Sequence, residues 1–148
     1  FDFHEFSRRV LASNWNKFTP SQKETFVEVF TEFLGKYYMG KLQEKYRDER
    51  LIYEGQEFKS STRALVHIKV VWKGKKVPVD LLMIKRREQW RIYDIQFLGI
   101  SAVRNYRAQF KSLLSKETPD QVIERMRERI QKIESEKKPV EYPEAPRG

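Results

Sequence analysis

Apolar residues recur every three to four positions near the start of the chain, which is typical of one face of an amphipathic helix. Phe3, Phe6, Val10 and Leu11 have this spacing, and polar or charged residues fill most positions between them. The pattern predicts a first helix that ends near Asn14.

A second helix is predicted from a stronger start signal. Thr19-Pro20-Ser21-Gln22 supplies an N-cap threonine, a proline at the first helical position and a glutamine three residues after the cap. From Phe26 the helical spacing of apolar residues continues toward Tyr46. Gly35 and Gly40 interrupt this helix, and each costs about 1 kcal/mol relative to alanine in a helix interior. They indicate either a weak point or break, which is favoured, or a close approach by another chain or a ligand.

From Arg50 to Leu98 the period shortens toward two, which predicts β-strands. Four segments have this character: residues 51–53, 64–72, 77–84 and 90–98. Lys73-Gly74-Lys75 predicts a hairpin turn between the second and third segments. Such short connections imply an antiparallel meander.

Both faces of the predicted sheet carry apolar residues. Gly55 and Pro78 fall within the strand region, where each predicts a bulge or an edge. The imperfect alternation indicates that both faces are partly covered, or that the sheet curls around something. One face carries Val66, Ile68, Val70, Trp72, Val77, Val79, Leu81 and Met83, and the other carries Leu65, Val71, Leu82 and Ile84.

Two more helices follow Gly99, and Thr118-Pro119-Asp120-Gln121 separates them by repeating the earlier capping pattern. We therefore predict an α+β fold, with a curved four-stranded antiparallel meander and about four helices packed over its concave face. Residues 1–138 are expected to form one domain, and residues 139–148 a mobile tail. The stripe of the third helix is Val103, Tyr106, Phe110, Leu113 and Leu114, and that of the fourth is Val122, Met126, Ile130 and Ile133.

Composition narrows the possible partners. The chain has 148 residues, of which 39% are hydrophobic and 14% aromatic, enough for a substantial core. A net charge of +9 indicates an anionic partner, such as nucleic acid, acidic lipid or an acidic protein, or else a basic solvated surface. The absence of cysteine excludes disulfides and thiol chemistry. No segment approaches the roughly 20 apolar residues of a membrane span.

Candidate catalytic chemistry is sparse. His4 and His67 lack a metal-ligand spacing, so no metal site is predicted. Asp94 lies in an otherwise apolar strand, where it is either a structural acceptor or the acid/base of a small cone-shaped α+β enzyme. Asp80 is the only comparable carboxylate on the preceding strand. Without a second catalytic partner the structural interpretation is favoured, and no catalytic residue is assigned.

A basic segment with interleaved aromatics raises a third function class. Residues 104–111 mix arginine, lysine, tyrosine and phenylalanine, as in proteins that bind single-stranded nucleic acid. On a helix, however, Tyr106 and Phe110 fall on the apolar stripe, whereas Arg104 and Arg107 lie on a neighbouring face. Base stacking needs exposed aromatics, so a basic nucleic-acid-binding module stays an alternative and nucleic acid is not the expected partner.

Several segments, in order over about residues 1 to 115, resemble one family. The segments are Phe1-Asp2-Phe3, Asn14-Trp15, Thr19-Pro20-Ser21-Gln22 with Phe26, Phe30 and Phe33, Tyr38 with Leu42, Gly74-Lys75-Lys76-Val77-Pro78-Val79-Asp80, Trp90-Arg91-Ile92-Tyr93-Asp94-Ile95, and Gly99-Ile100-Ser101 leading into Val103-Arg104-Asn105-Tyr106-Arg107-Ala108-Gln109-Phe110. Together they are similar to the MlaC, or toluene-tolerance, family of periplasmic phospholipid carriers.

The resemblance implies a curved sheet with acyl chains held between it and the helices. It also implies a periplasmic shuttle between an outer-membrane lipoprotein complex and an inner-membrane ABC-type transporter whose subunit bears an MCE domain. Phospholipid is then cargo, no cofactor or catalysis is involved, and a monomer is expected. A signal peptide and at least one further helix are expected to precede Phe1.

A carrier of this kind must offer acyl chains as much apolar contact as a bilayer does. Each methylene left in water costs about 0.8 kcal/mol, so about thirty methylenes cost on the order of 24 kcal/mol. Two arginines, Arg104 and Arg107, are candidates for an anionic headgroup. The expected lining residues of the cavity are Phe30, Phe33, Leu34, Tyr37, Val70, Val79, Leu81, Met83, Ile92, Ile95, Ile100, Val103 and Tyr106.

Overall fold

A computed structural model of the protein describes residues 1–39, 50–72 and 74–136. The predicted mobile tail, residues 139–148, lies outside this part of the chain. Among the described helices, none is both long enough and apolar enough to cross a bilayer. The elements, in chain order, are α1 (Phe3–Leu11), a 3-10 helix (Ala12–Lys17), α2 (Pro20–Leu34), a π-helical turn (Gly35–Met39), β1 (Arg50–Phe58), β2 (Arg63–Trp72), β3 (Lys75–Arg86), β4 (Gln89–Phe97), β5 (Ile100–Ser101), α3 (Ala102–Leu114) and α4 (Pro119–Glu136).

The two predicted capping boxes start α2 and α4. The Gln22 amide donates to Thr19 Oγ1 over 3.1 Å, and the Thr19 amide donates to Gln22 Oε1 over 2.9 Å. Thr118 and Gln121 form the same reciprocal pair at 3.2 and 2.9 Å. Each box satisfies two amide groups that would otherwise be unpaired, so these starts are set locally.

The second helix changes form at Gly35. The α-helix ends at Leu34, and a π-helical turn follows from Gly35 to Met39. A glycine at this point is consistent with the weak point that its low helix propensity predicts. The predicted continuation to Tyr46, with Gly40, lies outside the described residues.

The sheet is an antiparallel meander in the order β1-β2-β3-β4-β5, which confirms the predicted fold class. It has five strands where four were expected. The additional strand is β5, whose Ile100 and Ser101 pair with Phe97 and Gln96. A strand of two residues is too short to show an alternation of apolar and polar residues, so the sequence pattern could not predict β5.

Two irregularities break the ladder. The pairing of β1 with β2 shifts between Tyr53 and Gly55, where Gly55 has a φ of 141° that favours glycine. The pairing of β3 with β4 shifts between Leu82 and Met83. Pro78 lies before Val79, the first residue of β3 that pairs with β4, so its missing N–H removes no bond to β4. The register shift beside Gly55 confirms the bulge that was predicted there.

The helices form the main hydrophobic core. Rings of Phe26, Phe30 and Phe110 lie 5.3 Å apart, centroid to centroid, with edge-to-face or tilted geometries that aromatic pairs favour. The helices contact the sheet chiefly at β4. The buried core residues are Phe6, Val10, Leu11, Phe18, Phe26, Val29, Phe30, Val103, Phe110, Leu114, Val122, Ile123, Met126 and Ile130.

A buried carboxylate ties the first helix to the sheet. Glu5 is only 2% exposed, and its side chain pairs with Arg8 at 2.7 Å, Arg9 at 2.5 Å and Arg86 of β3 at 2.9 Å. Burial alone would raise the pKa of Glu5, but hydrogen bonds and positive charges from Arg8 and Arg9 outweigh it. They lower the pKa of Glu5 from 4.5 to about 2.

This cluster makes stability depend on acid pH. A carboxyl with a lowered pKa in the folded state contributes stability above its unfolded pKa, and loses it as pH falls from about 4.5 through about 2. Because Arg8 and Arg86 are about half exposed, solvent screening limits the contribution to roughly 2 kcal/mol. Urea unfolding of wild type and Glu5→Gln should give curves that converge over this window. Parallel curves down to pH 2 would contradict the assignment.

Candidate functional site

One face of the sheet is almost wholly apolar. In an antiparallel sheet, residues that are directly paired point to the same side. The register therefore groups side chains into rows across the strands, and the outermost rows of this face carry Lys75 and Lys85. In the four rows between them, the only polar side chain is Gln56, opposite Val66. We call this the apolar sheet face. Its members are Leu51, Tyr53, Phe58, Ala64, Val66, Ile68, Val70, Val77, Val79, Leu81, Met83, Ile92, Ile95, Phe97 and Ile100.

One row of the apolar sheet face crosses all five strands without a polar residue. It runs Tyr53, Ile68, Val79, Phe97 and Ile100. Val79 at its centre is 7% exposed, whereas Ile100 at its edge is 65% exposed. The middle of the face is thus partly sheltered, and its margins are open.

The opposite face is mixed. Its central row contains His67, whose Nδ1 lies 2.7 Å from Asp80 Oδ1 and whose Nε2 lies 2.8 Å from Glu57 Oε2. These hydrogen bonds, first the one to Asp80 and then the one to Glu57, raise the pKa of His67. Lys69 pairs with Glu54 on the same strands. Ion pairs of this kind suit the part of this face around His67 and Lys69 that meets solvent, so the apolar sheet face is the better suited of the two faces to an apolar ligand.

The apolar sheet face is concave at one end. Phe58 of β1 and Trp90 of β4 have ring centroids 6.0 Å apart, although β2 and β3 separate their strands. Strands spaced about 4.8 Å apart would put β1 and β4 about 14 Å apart in a flat sheet. The two rings therefore reach toward each other across Ala64, the small buried residue paired with Phe58.

Seven predicted lining residues, all those in strands, fall together on the apolar sheet face. Strict alternation would put Ile92 and Ile95 on opposite faces. The bulge leaves Tyr93 without a partner on β3, so Ile92 pairs with Met83 and Ile95 with Leu81. The seven residues are Val70, Val79, Leu81, Met83, Ile92, Ile95 and Ile100.

The six predicted lining residues in helices lie in or beside the helical core. Phe30 and Val103 belong to its buried cluster. Phe33, Leu34 and Tyr106 are partly buried against that cluster, and the Tyr37 ring stacks on Phe33 at 5.5 Å. The partly buried four are the members that retain surface for a ligand.

The two predicted headgroup arginines have different surroundings. Arg107 donates to the backbone carbonyl of Arg9 through Nε at 3.0 Å and Nη2 at 2.7 Å, which joins α3 to α1. Arg104 is exposed in the first turn of α3. The guanidinium of Arg107 is thus engaged within the protein, whereas the exposed side chain of Arg104 is the better candidate to bind an anion.

Asp94 is fully engaged with neighbouring donors. It is 5% exposed, and its carboxylate accepts from Ser101 Oγ at 2.5 Å and from the amides of Ile95 and Val103 at 2.8 and 2.9 Å. The Ser101 hydroxyl in turn caps α3 by accepting from the Arg104 amide at 3.1 Å. Asp94 thereby connects β4, β5 and α3, as a structural acceptor does.

Other sites offer less. A polar cleft of about 300 Å³ lies between the starts of α2 and α4 and is lined by Ser21, Gln22, Thr25, Asp120, Ile123, Glu124 and Arg127. No strand residue contributes to it, and its polar lining does not suit acyl chains. Within residues 1–39, 50–72 and 74–136, no group of histidine and carboxylate side chains could hold a metal ion.

Comparison with known proteins gives an independent result. A family model described as "MlaC protein" matches residues 1–128. A solved structure of the phospholipid-binding protein from Ralstonia solanacearum, in complex with a phospholipid, superposes with a TM-score of 0.79. The two chains are 24% identical, and the match covers 90% of this chain and 75% of the other. That likeness establishes the fold.

Among curated proteins, none is significantly similar to this chain. The family match is nevertheless long. It covers 128 residues, from the first helix through the first half of α4, and therefore includes the whole sheet. The chain belongs to the MlaC family.

Proposed function

We propose that this protein is a non-enzymatic carrier that binds phospholipid with its acyl chains against the apolar sheet face. The observation that carries the proposal is the five-strand row from Tyr53 to Ile100, which is apolar throughout and open at its margins. Large contiguous apolar patches are uncommon on the surfaces of monomeric proteins, and they usually mark a binding site. The phospholipid held by the Ralstonia solanacearum neighbour supports the choice of ligand.

Physical chemistry favours a lipid over a polar metabolite at this site. Its side chains have almost no hydrogen-bonding groups, so they gain by excluding water and cannot orient a polar substrate. Replacing bilayer contacts with sheet contacts lets lipid load and unload without a chemical step. We propose Val70, Val79, Leu81, Met83, Ile92, Ile95 and Ile100 as the sheet contacts, and Phe33, Leu34, Tyr37 and Tyr106 as helical contacts.

Family membership supports a proposal for the cellular setting. We infer a periplasmic location, where lipid must cross an aqueous space between two membranes. The proposed partners are an outer-membrane lipoprotein complex and an inner-membrane transporter subunit with an MCE domain, and the carrier is proposed to act as a monomer. The alternative enzyme based on Asp94 is disfavoured because that carboxylate already accepts three hydrogen bonds.

Lipid extraction tests the proposal and separates the function classes. Protein purified from bacteria without detergent should release phospholipid into organic solvent, detectable by mass spectrometry in a reproducible ratio to protein. Protein denatured before extraction serves to release tightly held lipid, and a co-purified protein without an apolar face controls for carry-over. Protein that is consistently free of lipid and fails to load from vesicles would contradict the proposal.

A further inference from the structure

One end of the sheet combines exposed apolar side chains with unpaired cations. At this end β1 and β3 begin, and β2 and β4 end, so the register brings their termini together. We call it the Gly74 end, after the glycine of the turn before β3. Leu51 is 67% exposed there, and Leu98 and Ile100 in and beside the β4–β5 turn are exposed to a similar extent.

Among the side chains that the structure describes, three cations lie at this end. Lys75 and Lys76 begin β3, and Arg104 lies in the first turn of α3, four positions after Ile100. All three are exposed, and no carboxylate in the described part of the chain forms an ion pair with them. The overall charge of the chain, +9, has the same sign.

The opposite end of the sheet differs in its apolar side chains rather than in its charges. Its cations Lys59, Lys85 and Arg86 are each paired with a glutamate, but Arg63, Arg87 and Arg91 are exposed there and form no ion pair within the described residues. Its exposed rings, Phe58 and Trp90, contact each other. What distinguishes the Gly74 end is therefore its three aliphatic side chains, each about two-thirds exposed, beside cations that have no ion pair with any residue that the structure describes.

We propose that the Gly74 end docks reversibly on an anionic phospholipid bilayer. Lysine and arginine near such a surface are attracted to acidic headgroups, while protruding leucine and isoleucine enter the interface. A few residues of each kind give weak binding, which suits a protein that must leave again. An acidic protein surface is the competing partner, and it offers less for three protruding aliphatic side chains.

Continuity with the apolar sheet face strengthens the argument. Leu51 pairs with Val70, and Ile100 pairs with Phe97, so exposed residues at this end are members of that face. An acyl chain leaving the bilayer here would meet apolar side chains without first crossing water. The inference deepens the proposed function and rests on it for this role, although docking itself is measured separately.

Co-sedimentation with vesicles tests the proposal. Wild-type protein at low salt should sediment with vesicles of phosphatidylcholine and phosphatidylglycerol, and far less with pure phosphatidylcholine. Lys75→Glu with Lys76→Glu should lower the partition coefficient about tenfold or more. Leu98→Asn with Ile100→Thr should lower it several-fold at constant charge. Asparagine tolerates the φ of 54° at position 98, and threonine suits the strand.

Two matched controls make the result specific. Lys111→Glu with Lys116→Glu changes the net charge equally on the last part of α3 and its C-terminal end, and Phe58→Thr removes an exposed apolar side chain at the opposite end of the sheet. Both should bind vesicles within about twofold of wild type. Equal losses in test and control variants, or no sedimentation of wild type, would overturn the proposal. Phosphorus in the solvent extract of the protein measures how much lipid is bound. Protein that binds no lipid but still sediments with vesicles would contradict the proposed function and leave the docking proposal standing.

Discussion

Val70→Asp is expected to weaken phospholipid binding on the order of 100-fold while the protein stays folded. Val70 lies on the apolar sheet face between Leu51 and Val77. A carboxylate at this position must either be desolvated against acyl chains or hold them away, at a cost of about 3 kcal/mol, which corresponds to about that change in affinity. Aspartate is too short to extend its charge past the lipid into water.

The adjacent residue provides the control. Val71 is also partly buried, but it points to the opposite face, where Lys76 is its partner on β3. Val71→Asp makes the same chemical change on the same strand and gains a favourable neighbour. Titration with a fluorescent phospholipid should show near wild-type affinity for Val71→Asp. Equal affinity losses in the two variants, with equal unfolding midpoints, would count against a face-specific site.

Asp94→Ala is expected to lower the free energy of unfolding by about 3 to 4 kcal/mol. The change leaves the Ser101 hydroxyl and the amides of Ile95 and Val103 without their acceptor, in a site that is 5% exposed. Buried donors that lose their partners cost about 1 to 3 kcal/mol each, and partial relaxation limits the sum. Urea unfolding at neutral pH measures the change.

Asp94→Asn separates a structural acceptor from a catalytic acid or base. The amide oxygen can still accept from Ile95 and Val103, and the amide nitrogen can donate to Ser101 Oγ, so the expected loss is about 1 kcal/mol. Lipid binding should be unchanged. A stable Asp94→Ala protein, or one that folds normally but loses a hydrolytic activity present in wild type, would reverse the structural interpretation.

The strand half of the candidate site followed from sequence because a period of two fixes which side chains share a face. Val79, Leu81 and Met83 are on one face of β3 for that reason. Ile92 and Ile95 are on the same face only because of a bulge, which no local pattern around Tyr93 announces. Register shifts depend on the neighbouring strand, and a single-strand pattern contains no information about it.

The helical half was less predictable. A helical period shows which side of a helix faces inward, but not whether protein or ligand fills the space opposite. Phe30 and Val103 face other helices and are buried, whereas Phe33 and Tyr106 keep some surface. The same limit applies to Arg107, whose contact with the Arg9 carbonyl spans 98 positions in the chain.

Glu5 shows what sequence reasoning missed. Its position among the polar residues of a first helical turn favours a solvated side chain. The available signal was the pair of arginines three and four residues later, a spacing that allows ion pairs on one helix face. The third partner, Arg86, lies 81 positions further along the chain on β3, so no local spacing could predict its contact with Glu5. The predicted capping boxes, by contrast, depend on four adjacent residues and were correct.

If phospholipid acyl chains lie against the apolar sheet face, a spin label on an acyl chain should broaden the methyl signals of that face. Protein with labelled methyl groups would be loaded with a phospholipid that carries a nitroxide on one acyl chain. We expect strong broadening for Val79, Leu81, Met83 and Ile95, and little for Val10, Val122 and Ile130 of the helical core. Reduction of the nitroxide should restore the signals. Broadening confined to the helical core, or to Ile123 in the polar cleft, would contradict this placement of the acyl chains.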